Sequence, residues 1–215
     1  MLYRVGLPPV RSANPRARAG FKMIDFFKKP KRFFLPWKNL LVLWQVLLLL
    51  APSNAFPQNA DSREYILKAG FIYSFTKFIQ WPTETQKTIE QDGLVFCLAG
   101  KDPFGNTLDN LSQGLRKKGK VLSIALNPGK ESLSSCHILF VSGSENNRVE
   151  DWSLDARNLP ILLIGDTPGY AQRGVGINFY IEGNKIRFEI NSKAIERRGI
   201  RVSSELLNLA RIVGE

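Results

Sequence analysis

"GINFYIEGNKIRFEIN", residues 176–191, decides the fold class. Two runs alternate apolar and polar residues, and Gly183-Asn184 stands between them. Alternation with a period of two marks half-buried strands, and a two-residue link of this type marks a hairpin. The runs before it read differently. "GLVFCLAG" (93–100), "VLSIAL" (121–126), "HILFVS" (137–142) and "PILLIGD" (160–166) are short and apolar, as buried strands are. Helical stretches separate them. In "KDPFGNTLDNLSQGL" (101–115), Asp102 and Pro103 fit the N-cap and first position of a helix. "SENNRVEDWSLDAR" (144–157) reads as a helix capped by Ser144. After the hairpin, "ERRGIRVSSELLNLARIV" (196–213) gives a helix following Ser203, with Leu206, Leu209, Ala210 and Val213 on one face. The sequence therefore predicts an α/β domain: a single mixed sheet of about six strands flanked by helices, ending in a β-hairpin and a C-terminal helix.

Ahead of the first strand, "DSREYILKAGFIYSFTKFIQWP" (61–82) is predicted helical. Asp61 and Glu64 have capping-box spacing, and Pro82 closes the stretch. Its interior is apolar nearly all round. Such a helix is buried on more than one side, either between sheet and helix or between core and a partner surface.

The start of the chain belongs to a different class. Residues 40–51 form an apolar run of twelve residues, with Gln45 inside it, ended by Pro52. A membrane-spanning helix needs about 20 such residues, whereas the core of a secretory signal has about 7–15. Lys28, Lys29, Lys31, Arg32 and Lys38 precede it, and Ser53-Asn54-Ala55 follows with small residues where a signal peptidase needs them. Residues 1–55 are expected to be a signal peptide cleaved after Ala55, with Ala60 a weaker site. The cationic region is over-long, and Met23 is the favoured start of translation. The fold then belongs to residues 56–215, one domain by size, in the periplasm.

Charge follows the same division. The chain carries +11. Residues 1–55 hold ten of the 30 Lys/Arg and one of the 19 acids, hence +9, which leaves +2 on the other 160 residues. The basicity that would suggest nucleic acid thus sits in the leader. The basic run Arg116-Lys117-Lys118-Gly119-Lys120 reads as a solvated turn, and no nucleic-acid partner is expected.

No catalytic constellation emerges. His137 is the one histidine, and Cys136 beside it would point to the opposite face of a strand. One histidine cannot build a His-rich metal site. "GDTPGYAQRGVG" (165–176) matches neither G-x-G-x-x-G nor the phosphate-cradling P-loop, and "VSGSE" (141–145) lacks the nucleophile elbow. Asp166 lies at the C-terminal end of a strand, where α/β folds place ligands, although capping the next turn is the commoner use of such a residue. No cofactor is expected. Cys97 and Cys136 can oxidise and pair in an exported protein.

"YSFTKFIQWP" (73–82), "CLAGKDPFGNTLDNL" (97–111), "CHILFVSGSE" (136–145), "ILLIGD" (161–166) and "FEINSKAIERRGIRVSSELLNLARIV" (188–213) together resemble the YfiR-like family of bacterial periplasmic proteins. The resemblance implies a regulator rather than an enzyme. It would bind and repress an inner-membrane diguanylate cyclase through that enzyme's periplasmic sensor region, lowering cyclic di-GMP and biofilm formation. An outer-membrane lipoprotein could sequester it, and the domain would dimerise. A small-ligand-binding component of a periplasmic sensor pathway, with its pocket near Asp166, is the alternative. The resemblance places one disulfide at Cys97 and Cys136; the namesake's second pair has no counterpart here. Strand order agrees, since the first and third strands of a doubly wound sheet can be neighbours, within reach of a disulfide. Phe71, Phe75, Phe78 and Trp81 are the candidate interface for a homodimer or partner.

Overall fold

The computed structural model describes residues 60–214, and the predicted leader with its cleavage after Ala55 lies outside the described residues. Helix α1 (Ala60–Phe75) leads through a 3-10 turn into strand β1 (Ile79–Gln80). Then come α2 (Thr83–Asp92), β2 (Leu94–Ala99), α3 (Thr107–Arg116), β3 (Leu122–Leu126), β4 (Ile138–Val141), α4 (Val149–Asp155) and β5 (Leu162–Gly165). The hairpin is β6 (Ile177–Glu182) and β7 (Lys185–Ile190); α5 (Ser192–Glu196), β8 (Arg201–Val202), α6 (Ser204–Leu207) and β9 (Arg211–Ile212) complete the chain.

The main sheet has the order β3-β2-β4-β5-β6-β7-β9, with β1 and β8 in a separate antiparallel pair. Strands β2 to β6 run parallel, and β7 turns antiparallel against β6. Every residue of β4 and β5 is buried, as a parallel sheet covered on both faces requires. Alternate residues serve opposite cores. Phe96, Leu98, Ile138, Phe140, Leu162 and Ile164 face the layer that holds α1 and α3; Cys97, Ala99, Leu139, Val141 and Leu163 face the layer of Val149, Trp152 and Tyr170. Burying each such large side chain contributes about 1.5–3 kcal/mol.

All six expected strands form. Gly183 and Asn184 both take positive φ, 53° and 59°, as a type I′ hairpin turn demands. Gly165 fits its place for a different reason: a Cβ there would stand 2.5 Å from the ring of Tyr170. That ring is fully buried over the sheet, and its hydroxyl donates to the Ser142 carbonyl at 3.0 Å.

The helix boundaries differ from the sequence reading. Helix α1 is already under way at Ala60, so Asp61 lies inside it, and it stops at Phe75 rather than at Pro82. Ile79 and Gln80 leave the helix to pair with Val202 and Arg201. Pro82 opens α2, a helix the sequence hides because Ile89 is its one large apolar residue. The Asp102 carboxylate accepts from the Phe104 N–H at 2.7 Å in a local turn, and α3 starts only at Thr107. Ser142, not Ser144, caps the 3-10 turn Gly143–Arg148 that precedes α4. Ser203 does cap the C-terminal helix, but α6 is four residues long. Leu209 and Val213 fall beyond it, because β9 returns to the sheet beside β7 as a seventh strand. The basic run after α3 is exposed.

Cys97 and Cys136 are bonded, with Cα atoms 5.8 Å apart and both residues buried. Strands β2 and β4 are neighbours, and Cys136 directly precedes β4. The bond closes the whole excursion through α3 and β3, 39 residues apart in sequence. His137 reinforces the same seam. Its backbone N–H donates to the Val95 carbonyl, and its Nδ1 accepts from the Val95 N–H, both at 3.0 Å.

Two outcomes are expected. On the chain-entropy relation a loop of this length stabilises by about 3–4 kcal/mol, so Cys97→Ser/Cys136→Ser should melt roughly 10 °C lower; a calorimetric scan that finds no change rejects a structural role for the bond. The second concerns pH. Burial lowers the pKa of His137 below its ordinary value, so between the folded and unfolded pKa values the unfolded chain binds the extra proton. Stability is then fully present above the unfolded value of about 6.5 and is lost as pH falls toward the folded pKa. Urea unfolding between pH 7 and 5 should show that loss, and His137→Gln should remove its share of the slope.

Candidate functional site

Helix α1 presents two faces. Ala69, Ile72 and Phe75 are buried against the sheet. Ile66 and Leu67 are 55% and 57% exposed, and Phe71 is 37% exposed. These three lie one turn apart on the outer face, with Gly70 and Ser74 beside them. The Phe71 ring is held at its inner edge by Phe75 and Phe179, at centroid distances of 6.2 and 6.3 Å.

The expected aromatic interface is therefore redrawn. Phe75 is buried, stacked on Phe179 and 4.9 Å from Phe188. Trp81 is buried as well, because the chain leaves the helix and carries it into the core. Neither can meet a partner in the folded chain. Phe78 is half-buried, and Phe71 alone of the four is well exposed. Ile66 and Leu67, which the aromatic reading passed over, extend the surface. Their spacing against Ala69, Ile72 and Phe75 carried the signal: residues 66, 67, 70, 71 and 74 lie on the face opposite 65, 68, 69, 72 and 75.

Three polar side chains fix where this face points. Asp166 follows β5 at its C-terminal end. Its carboxylate accepts from the Tyr65 hydroxyl at 2.8 Å and pairs with Lys68 Nζ at 2.7 Å. Lys68 also pairs with Glu64 one turn earlier and lies 4.4 Å from the centre of the Tyr65 ring. The side chains of Lys68 and Asp166 are 4% and 7% exposed. Asp166 thus anchors α1 to the sheet, and it also lines a cavity of about 420 Å³ at the strand ends with Lys101, Ser142 and Thr167.

The winding of the sheet reverses between β2 and β4, where open α/β sheets tend to bind ligands. Here the chain satisfies its own donors at that point. The Gly100 N–H donates to Asn127 Oδ1 at 2.7 Å and the Lys101 N–H to Ser144 Oγ at 2.8 Å. No thiol–imidazole dyad exists, since Cys136 is bonded to Cys97 and His137 to Val95. Among the described residues, no three His, Cys, Asp or Glu side chains gather as a metal site. No described helix is long and apolar enough to cross a membrane.

Lys68→Met should leave a buried, uncompensated Asp166 and cost about 3–5 kcal/mol. Lys68→Met/Asp166→Asn should recover part of that loss, and denaturant unfolding of the two variants measures the difference.

No curated protein sequence matches the chain. Among solved structures, it is similar to a conserved domain protein from Vibrio cholerae O1 biovar El Tor, with 12% identity and a TM-score of 0.46 over 70% of this chain and 60% of that one. It is also similar to an ABC domain from Streptococcus pneumoniae in complex with L-Trp, with 10% identity and a TM-score of 0.42 over 59% and 58%. The chain thus spans about three-fifths of the length of these structures. A family model described as YfiR/HmsC-like matches residues 65–211, from the Tyr65 that grips Asp166 to the first residue of β9. By that match, the chain belongs to the YfiR/HmsC-like family.

Proposed function

We propose that this chain is a periplasmic regulatory protein that binds and represses a membrane signalling enzyme, a diguanylate cyclase, and so lowers cyclic di-GMP. The observation that carries the reading is the family match over residues 65–211; the family is a regulatory one. The leader read from the sequence supports export, and the buried disulfide suits an oxidising compartment. The outer face of α1 supplies a surface for protein recognition. Ile66, Leu67 and Phe71 leave apolar area in water on a helix that is firmly anchored from behind. Pre-organised apolar anchors of this kind lose little entropy on binding. The cyclase's periplasmic sensor region is the partner, an outer-membrane lipoprotein competes for the regulator, and the regulator itself works as a homodimer. A ligand-sensing role centred on Asp166 is less well supported, because Tyr65 and Lys68 already occupy its carboxylate.

Deleting the gene in its source bacterium should raise cyclic di-GMP, and the wild-type chain should restore the lower level. Leu67→Glu/Phe71→Glu, checked for an unchanged circular dichroism spectrum, should fail to restore it and should bind the partner at least about ten-fold more weakly. Sedimentation of the same variant separates the two uses of the face: a halved mass assigns it to the homodimer, an unchanged mass to the cyclase. A cyclic di-GMP level that does not respond to deletion overturns the function.

A further inference from the structure

Helix α4, the turn Ala171–Arg173 and the end of α5 line a groove of about 590 Å³. Four arginines line it, Arg157, Arg173, Arg197 and Arg198, against one acid, Glu150. The groove therefore carries a formal +3, on a domain whose residues from 56 onward carry only +2 in total.

Arg198 is the unusual member. It is 6% exposed. Its guanidinium donates to the carbonyls of Ala194 and Gly174 at 2.6 and 3.1 Å and to Ser153 Oγ at 3.1 Å. All of these partners are neutral, and its Nε–H has none. No carboxylate pairs with it among the described residues. Burial, with the charge of Arg197 beside it, lowers its pKa to about 10, so it remains a cation at neutral pH. A buried charge held by dipoles alone lacks the counter-ion that buried charges ordinarily have.

Its neighbours do not supply one. Arg173 consumes Glu150 at 2.9 Å and binds Asn146 through both terminal nitrogens. Arg157 and Arg197 are exposed on the rim with no ion pair among the described residues. Three guanidiniums thus share one concave surface whose single carboxylate, Glu150, is paired with Arg173, and Leu154, 61% exposed, adds an apolar wall. Guanidinium forks match the oxygens of phosphate in geometry and charge. A volume of this size accommodates a metabolite rather than a lone ion.

We propose that this groove is a binding site for a small phosphorylated molecule. Its phosphate is held by Arg157, Arg197 and Arg198, and its organic part lies along Leu154. The site is separate from the outer face of α1 and gives the protein an input of its own.

Inorganic phosphate is the probe, titrated into 15N-labelled full chain at constant ionic strength. The expected result is saturable shifts of the Ser153, Gly174 and Arg198 backbone amides, absent when chloride or succinate replaces phosphate. Arg157→Ala/Arg197→Ala, both on the rim, should keep the spectrum of the folded chain and weaken phosphate at least ten-fold. Arg198→Lys tests the buried member without deleting its charge and should also weaken binding. Shifts confined to other regions, equal responses to phosphate and chloride, or undiminished affinity in the double variant would each overturn the proposal. Tetraglutamate binding more tightly than phosphate would overturn it in favour of an acidic peptide.

Discussion

Burial of β2, β4 and β5 from both sides is the constraint on which the rest of the molecule depends. A strand that is apolar on both faces needs two covering layers. One is supplied by α1 and α3, the other by α4, Tyr170 and the disulfide. Every feature with a functional reading is an outgrowth of one of these layers. The exposed stripe of α1 is the back of a helix whose front is core. The arginine groove lies where α4, from the opposite layer, meets the end of α5. A substitution at Phe140 would disturb the α1 layer and one at Leu139 the opposite layer, since each fully buried side chain faces one of them.

The two layers are fastened by different chemistry. The α1 layer is held by aromatic packing of Phe75 on Phe179 and Phe188, and at its polar end by Lys68 and Asp166. The opposite layer is held covalently at Cys97–Cys136 and by Tyr170, whose hydroxyl reaches Ser142. A disulfide responds to reductant and aromatic packing does not, so the two sides of the domain differ in their sensitivity to redox conditions.

How much of this was legible depended on how local its cause was. Strands were readable because a buried parallel strand writes itself as an unbroken apolar run, and Gly183-Asn184 demands positive φ whatever surrounds it. Helix ends were not. Phe75 could continue a helix, but the ladder from Ile79 to Val202 stops it, and that partner lies more than 120 residues away. The same long-range cause ends α6 at Leu207, where β9 is drawn back to β7 and Arg211 to the buried Glu189. Trp81 left the candidate interface for this reason too: it looks like surface in a straight helix and becomes core once the chain bends. Helix α2 was hidden by composition, with Ile89 as its one large apolar side chain.

The brief strand β9 has a consequence for how the protein avoids stacking edge to edge. It pairs only with Glu189 and Ile190 of β7. Among the described residues, the remaining backbone of β7, from Lys185 to Phe188, has no strand paired on that side. Unpaired strand borders are templates for addition of another chain, and charged residues are the common defence. Lys185 and Arg187 are exposed along that border. Two such borders meeting edge to edge would bring like charges together, so β7 stays a margin instead of becoming a seed for stacking.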